Sequence, residues 1–231
     1  MVTTPSSVFG SPAGYSRYLA RRARTGAFAA SLIGVGCLLL VLSYRAVLIP
    51  GLAVAAVCFY YVRVSLVKAT KASVGTKSEV RVARLLNKLG YEATMHGMVL
   101  GAGGDCDHVV VGPINCAIET KTGHGKVTFR DGAMYAGSRR IPKNPVAQVE
   151  RQCQVLSRLT GRRATGVVCV VDMTTRPFRV GDVTVCSLND LADVLSRTPR
   201  VFPAGALAFA QNLYAQQDQM AAQAGLRLQK R

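Results

Sequence analysis

The sequence predicts an α/β domain with a mixed sheet flanked by helices, preceded by a pair of apolar helices. Three observations lead there. Short β-branched runs, at 109–111 and 167–171, alternate with segments whose apolar residues recur at three and four. Two uncharged apolar stretches, 25–44 and 46–62, lie ahead of all of them. No Asp or Glu occurs before Glu79, so the N-terminal third differs chemically from the rest.

Taken in order, residues 1–24 read as a disordered basic lead. The first sixteen are rich in Ser, Thr, Pro and Gly, and Arg17, Arg21, Arg22 and Arg24 follow. Residues 25–67 read as a transmembrane helical hairpin. Each apolar stretch is close to the roughly 20 residues needed to cross the hydrocarbon. Pro50 and Gly51 suit the opening of the second helix, and the many small residues allow the two helices to pack closely. Arg63, Lys68, Lys71 and Lys77 follow the second stretch, whereas the intervening loop holds only Arg45. Basic residues favour the cytoplasmic side, so both ends and the soluble domain are expected in the cytoplasm of a two-pass protein of the cell's inner membrane. A cleaved signal peptide followed by a core helix fits the first stretch, but not the second with its basic flank.

The soluble part begins with a helix over 73–89, carrying Val80, Val82, Ala83, Leu85, Leu86 and Leu89. A strand is expected near 91–100, then a glycine turn at 101–104. That turn fails the G-x-G-x-x-G nucleotide pattern because Cys106 takes its last place. Two strands joined by a Gly-Pro turn come next, then a strand at 126–130. Val146, Val149, Cys153, Leu156 and Leu159 mark a helix over 145–159. Strands at 166–171 and 183–188 and a helix from Asn189 close the domain before Pro199 and Pro203. Residues 199–231 form an Ala/Gln-rich tail. It fits a helix packed on the domain, a self-association segment of a homo-oligomer or membrane complex, or a frayed end.

A net charge of +17 over 231 residues, with a pI near 10.1, favours nucleic acid or anionic lipid as partner. Arginines flanking membrane spans account for the same charge. The seven cysteines form no C-x-x-C pair, and four lie in strand patterns. They read as reduced structural thiols, with no zinc site.

The chemistry concentrates at 104–121. Asp105 and Asp107 share one face of a strand, as do Glu119 and Lys121 on the next. If the faces coincide, carboxylates converge beside an ammonium, an arrangement that repels itself unless a cation intervenes. Hard oxygen donors of this kind suit Mg²⁺ or Mn²⁺. The same residues also fit the solvent face of an ordinary hairpin, with Glu119 and Lys121 as a surface ion pair.

Gly-Asp-Cys-Asp-His-Val-Val-Val-Gly-Pro from Gly104, followed by Ala117-Ile-Glu-Thr-Lys121, resembles the core of the nuclease-related domain (NERD) family, grouped with the PD-(D/E)XK nucleases. Gly75-Thr-Lys-Ser-Glu79 resembles the family's opening, and Asn144-Pro-Val-Ala-Gln148 its later helix start. The resemblance covers residues 73–198. Cys106 departs from it where an aliphatic residue is usual, and the stretch 126–143 matches little. It implies a restriction-endonuclease-like mixed sheet and a Mg²⁺-dependent endonuclease that hydrolyses phosphodiesters of DNA. Asp107 and Glu119 would hold the metal, and Lys121 would orient or deprotonate the attacking water. Gln148 would contact phosphate or the lysine.

Asp105 and Glu79 are supporting candidates, the one also readable as a solvated turn residue and the other as a helix-start carboxylate. His108 points away from Asp107 and reads as a core histidine. His124 lies in a Gly-flanked loop beyond Lys121, and His96 carries no pattern. Arg139, Arg140 and Lys143, with Arg158, Arg162 and Arg163, are candidates to follow a nucleic-acid backbone. Fold does not fix activity. A non-catalytic nucleic-acid-binding module, or a membrane adaptor in DNA transfer or processing, fits the same sequence.

Overall fold

A computed structural model of the chain describes residues 7–10, 14–43, 48–101, 104–201 and 205–216. It divides into two compact units, 14–76 and 1–13 with 77–231. Arg45, Pro203 and residues 217–231 of the expected tail lie outside the described residues.

The first unit is built from α1 (Gly14–Ser43) and the first part of α2 (Leu48–Leu89). A Cβ at Gly51 would fall 2.2 Å from Val41 Cγ2, and one at Gly34 would fall 3.3 Å from the Cβ of Cys58. Glycine is therefore what lets the two helices touch. Their other faces leave Phe28, Leu32, Leu42, Val57 and Phe59 exposed. Two helical segments, Ala20–Leu42 and Ile49–Leu89, are long and apolar enough to cross a membrane, with mean hydropathy of 2.2 and 1.6 over their most apolar stretches.

Two expectations are corrected here. Residues 14–24 are helical rather than disordered, since Arg, Ala and Leu are strong helix formers. The helix expected at 73–89 is the continuation of α2, because no proline interrupts the chain between Pro50 and Leu89.

The second unit is a seven-stranded mixed sheet in the order β1-β2-β3-β4-β8-β10-β9. Its strands are β1 (Ser7–Gly10), β2 (Ala93–Val99), β3 (Asp105–Val111), β4 (Asn115–Thr122), β8 (Thr165–Val171), β9 (Phe178–Val180) and β10 (Val183–Ser187). The β2–β3 and β3–β4 pairs are antiparallel, while β4, β8 and β10 run parallel. Between β4 and β8 the chain forms a second, three-stranded antiparallel sheet, β5 (Val127–Arg130), β6 (Ala133–Ala136) and β7 (Arg139–Arg140), and then α3 (Pro145–Thr160). The chain closes with α4 (Leu191–Ser196) and α5 (Ala206–Ala215).

Side-chain alternation sorts the sheet into two apolar layers. Val82 and Leu86 of α2 pack with Val110, Cys116, Ile118 and Val167, together with Leu191 and Leu195 of α4. On the other face, Val146 and Val149 of α3 pack with Val168 and Val170 and with Val127 and Met134 of the small sheet. Leu156 of α3 and Leu213 of α5 join Val109, Val111 and Ala117 there. A Cβ at Gly166 would lie 2.4 Å from Val149 Cγ1, so this glycine brings α3 down onto β8. All seven cysteines are free.

The two ends of the sequence also contribute. Residues 7–10, expected to be disordered, form β1, which pairs in parallel with β2. Val8 and Phe9 favour extended backbone, and the Phe9 ring meets Tyr214 of α5 at 5.6 Å between centroids. Of the three readings of the tail, α5 takes the first: it packs against β2 with Ala206, Ala210 and Leu213 buried. Glu92 Oε1 accepts from Leu207 N at 3.0 Å, satisfying one orphan donor of the helix start. Gly112, with φ of 78° before the cis peptide to Pro113, is required at the β3–β4 turn, since a Cβ there would fall 2.6 Å from the Cβ of Ala206.

Candidate active site

Asp107 and Glu119 meet because of the β3–β4 register. The last paired residues are His108 and Ile118, and one step further the chain places Asp107 beside Glu119. Thr120 N donates to Asp107 Oδ2 at 2.7 Å, holding the carboxylate against β4. By alternation Glu119 and Lys121 face α3, on the side of Ala117. Lys121 Nζ donates to Glu119 Oε1. The surface ion pair allowed by the sequence is thus corrected: Glu119 is only 3% exposed.

The second carboxylate oxygen is held by α3. Asn144 caps this helix by accepting from Ala147 N at 3.5 Å, and Pro145 fills its first position. That phase turns Gln148 and, one turn later, Gln152 toward β4. Gln148 Nε2 donates to Glu119 Oε2 at 2.7 Å. Gln152 Nε2 donates to the Asp105 carbonyl at 2.6 Å and to Glu119 Oε2 at 3.3 Å. Gln152 is fully buried, and its Oε1 has no hydrogen-bond partner among the described residues. Gln152 was not legible as a site residue. The signal for it is its i+4 spacing from Gln148, which places both amides on one helix face.

The electrostatics match this crowding. Burial pushes the Asp107 carboxyl well above its usual range, and the charges of Glu119 and Glu79 push the same way. Asp105 is raised by burial of its carboxyl and then by Glu119, although the residue keeps an exposed edge. Burial opposes the Lys121 charge, but Glu119, Asp107 and Glu79 outweigh it and hold the ammonium above its ordinary value. Glu79 therefore acts on the cluster from α2.

Uncompensated negative charge of this kind is relieved by a cation. Two carboxylates converging on one face fit Mg²⁺, which keeps several of its waters. Among the described residues no group of three or more His, Cys, Asp or Glu side chains is gathered for a metal. Asp107 and Glu119 are the residues that would hold such an ion.

His108 lies on the opposite face, fully buried, as its position in the strand predicts. Its Nδ1 is 2.8 Å from His96 Nδ1, and His96 Nε2 is 3.2 Å from Asn87 Oδ1. With the Asn87 oxygen accepting, His96 carries its proton on Nε2 and accepts at Nδ1 from His108. Burial pushes His96 down to about 4, and burial followed by the neighbouring His96 holds His108 well below its ordinary value. The partnership of His96 depends on its pairing across β2 and β3, which no local pattern reveals.

His124 is exposed. So are Arg139 and Arg140 on β7 and Lys143 ahead of α3. Arg158, Arg162 and Arg163 are exposed too, but at the far end of α3. Arg158 is ten residues beyond Gln148, about 15 Å along the helix, so these arginines do not join the cluster.

No curated protein and no solved structure matches the chain. Residues 74–173 match the model of the nuclease-related domain family, a span that begins ahead of Glu79 and ends just past β8. The hairpin with Asp107, Glu119 and Lys121 and the helix with Gln148 and Gln152 both fall inside that match, so over residues 74–173 this chain is similar to the nuclease-related domain family.

Proposed function

We propose that the protein is a membrane-anchored, metal-dependent nuclease that hydrolyses phosphodiester bonds of DNA on the cytoplasmic side, with a restriction-endonuclease-like sheet. The observation that carries this reading is the joining of Asp107, Glu119 and Lys121 on one sheet face within a nuclease-related domain. A phosphodiester is anionic, so attack by water needs charge neutralisation as well as a nucleophile. Bound Mg²⁺ or Mn²⁺ supplies a Lewis acid and lowers the pKa of its water.

The residues of the chain do the rest. Glu119 and Asp107 present hard oxygens. Gln148 and Gln152 fix the Glu119 carboxylate from α3, so it needs no reorganisation during the reaction. Lys121, kept charged by its neighbours, stabilises negative charge developing on the phosphate and orients the water. Asp105 and Glu79 add negative potential around the metal donors.

The anchor is the helical pair of the first unit. Its two long apolar helices leave large apolar side chains uncovered, as a lipid-facing surface does. Arginines and lysines at both distal ends support a cytoplasmic placement of the domain.

The test is cleavage of supercoiled and single-stranded DNA by the full-length chain in detergent, with Mg²⁺, Mn²⁺ or chelator. Lys121→Ala, purified identically, runs beside it. Metal-dependent nicking that falls at least 100-fold in Lys121→Ala is expected. Equal cutting by both proteins, or none by the wild type, overturns the nuclease reading and leaves a non-catalytic binding or adaptor role.

A further inference from the structure

The segment joining Lys121 to Gln148 is not a simple connector. It folds into the β5–β7 sheet, whose buried side carries Val127 and Met134. Register pairs Thr128 with Tyr135, and Tyr135 with Arg140, so these three share the other face. Arg130, two residues from Thr128, lies there as well, with its guanidinium carbon 4.3 Å from the centre of the Tyr135 ring. Residues 123–144 hold five Lys or Arg against one acid, Asp131.

The sheet is tied to the catalytic framework at two points. Val127 N donates to Thr174 O at 2.9 Å and Thr174 N to Gly125 O at 3.0 Å, just beyond β8. Lys121 pairs with Val170 at that same end of the β4–β8 ladder. At the other side, Asn144 Nδ2 donates to Gly132 O at 2.9 Å, joining the β5–β6 turn to the cap of the helix that carries Gln148. The small sheet is thus anchored near the end of β4 that carries Lys121, with its basic face opposite the one that packs on α3 and β8.

We propose that the face formed by Thr128, Arg130, Tyr135 and Arg140 binds a single-stranded segment of DNA, next to the cluster of Asp107, Glu119 and Lys121. The inference rests on the nuclease reading for its substrate. Arginine in salt-sensitive contact with phosphate would hold the backbone. The tyrosine ring with its overlying guanidinium is a planar stacking surface, and every base has a face to stack on it. A duplex hides those faces except at its ends. The choice of a single strand follows from an aromatic ring set among cations rather than cations alone.

Fluorescence anisotropy of the full-length chain in detergent, with chelator present, measures binding without cleavage. Labelled oligo-dT and a duplex of equal length are the probes. The single strand is expected to bind at least tenfold tighter than the duplex. Tyr135→Ala is expected to weaken it by about tenfold, while Tyr135→Phe keeps the affinity. Arg130→Gln and Arg140→Gln, exposed positions tolerant of change, are each expected to lower the salt slope by about 0.7. Equal affinity for the duplex, or wild-type affinity in Tyr135→Ala and in both arginine variants, overturns the proposal. Binding is read here without cleavage, so a failed nuclease reading registers only in the cleavage assay and a failed platform only in this one.

Discussion

Gln152 reaches Glu119 from the buried side of α3, its amide nitrogen 3.3 Å from Oε2 and 2.6 Å from the carbonyl of Asp105. One side chain therefore links the Glu119 carboxylate to the backbone of the neighbouring strand. Gln148 holds the same carboxylate oxygen from the turn before. A buried carboxylate keeps its charge at tolerable cost only with such partners.

Gln152→Leu removes the donor while keeping much of the volume. It leaves the Asp105 carbonyl and Glu119 short of a partner. We expect a loss of about 1–3 kcal/mol in urea unfolding. Gln148→Ala, nearer the solvent, should cost less stability and still slow cleavage, by about tenfold or more.

Asp107 is held in surroundings that disfavour its charged form. Its carboxyl titrates well above its ordinary value because of burial, Glu119 and Glu79. The folded state therefore binds this proton more tightly than the unfolded chain. Its contribution is fully present below pH 3.8 and is lost as pH rises through the folded value. Asp107→Asn should consequently stabilise the metal-free protein at neutral pH, by about 0.5–2 kcal/mol, and abolish cleavage. Thermal melts with and without Mg²⁺ check this: the ion should raise the wild-type midpoint and leave the variant's unchanged.

The histidine pair acts in the opposite direction. His96 is pushed from 6.5 to about 4 by burial, so stability present above pH 6.5 is lost as pH falls toward 4. At about 1.4 kcal/mol per unit, the loss due to His96 approaches ~3 kcal/mol. His96→Gln should flatten the difference between urea midpoints at pH 7 and pH 5. An unchanged difference would assign the acid sensitivity elsewhere.

Leu213 of α5 is 3% exposed and packs in the cluster around β2 and β3. Leu213→Ala should cost about 2–5 kcal/mol, measured by denaturant unfolding. Such a loss would show that a helix outside residues 74–173 completes the domain's core.

Local pattern carried much of this structure. Period-2 alternation placed Glu119 and Lys121 on one face, and the Asn144–Pro145 start fixed the phase of α3. What stayed hidden depends on partners distant in sequence. Gln152 looks like any polar helix residue until β3 and β4 lie beneath it. His96 has no meaning without the register that sets it against His108. Residues 7–10 are four positions among Ser, Thr and Gly, and only the waiting edge of β2 makes them a strand. The run 126–143 alternates weakly, because its buried hydrophobic residues are few: Val127, Ala133, Met134 and Ile141.

The sheet ends on β1 at one side and β9 at the other, strands of four and three residues. Open backbone donors and acceptors at a sheet edge invite a further strand from another molecule. Here the longer ladders of β2 and β10 are already capped by these short ones, leaving little template on either flank. Among the described residues, a strand added from a second copy would have only these three or four positions on either flank of the large sheet to pair with.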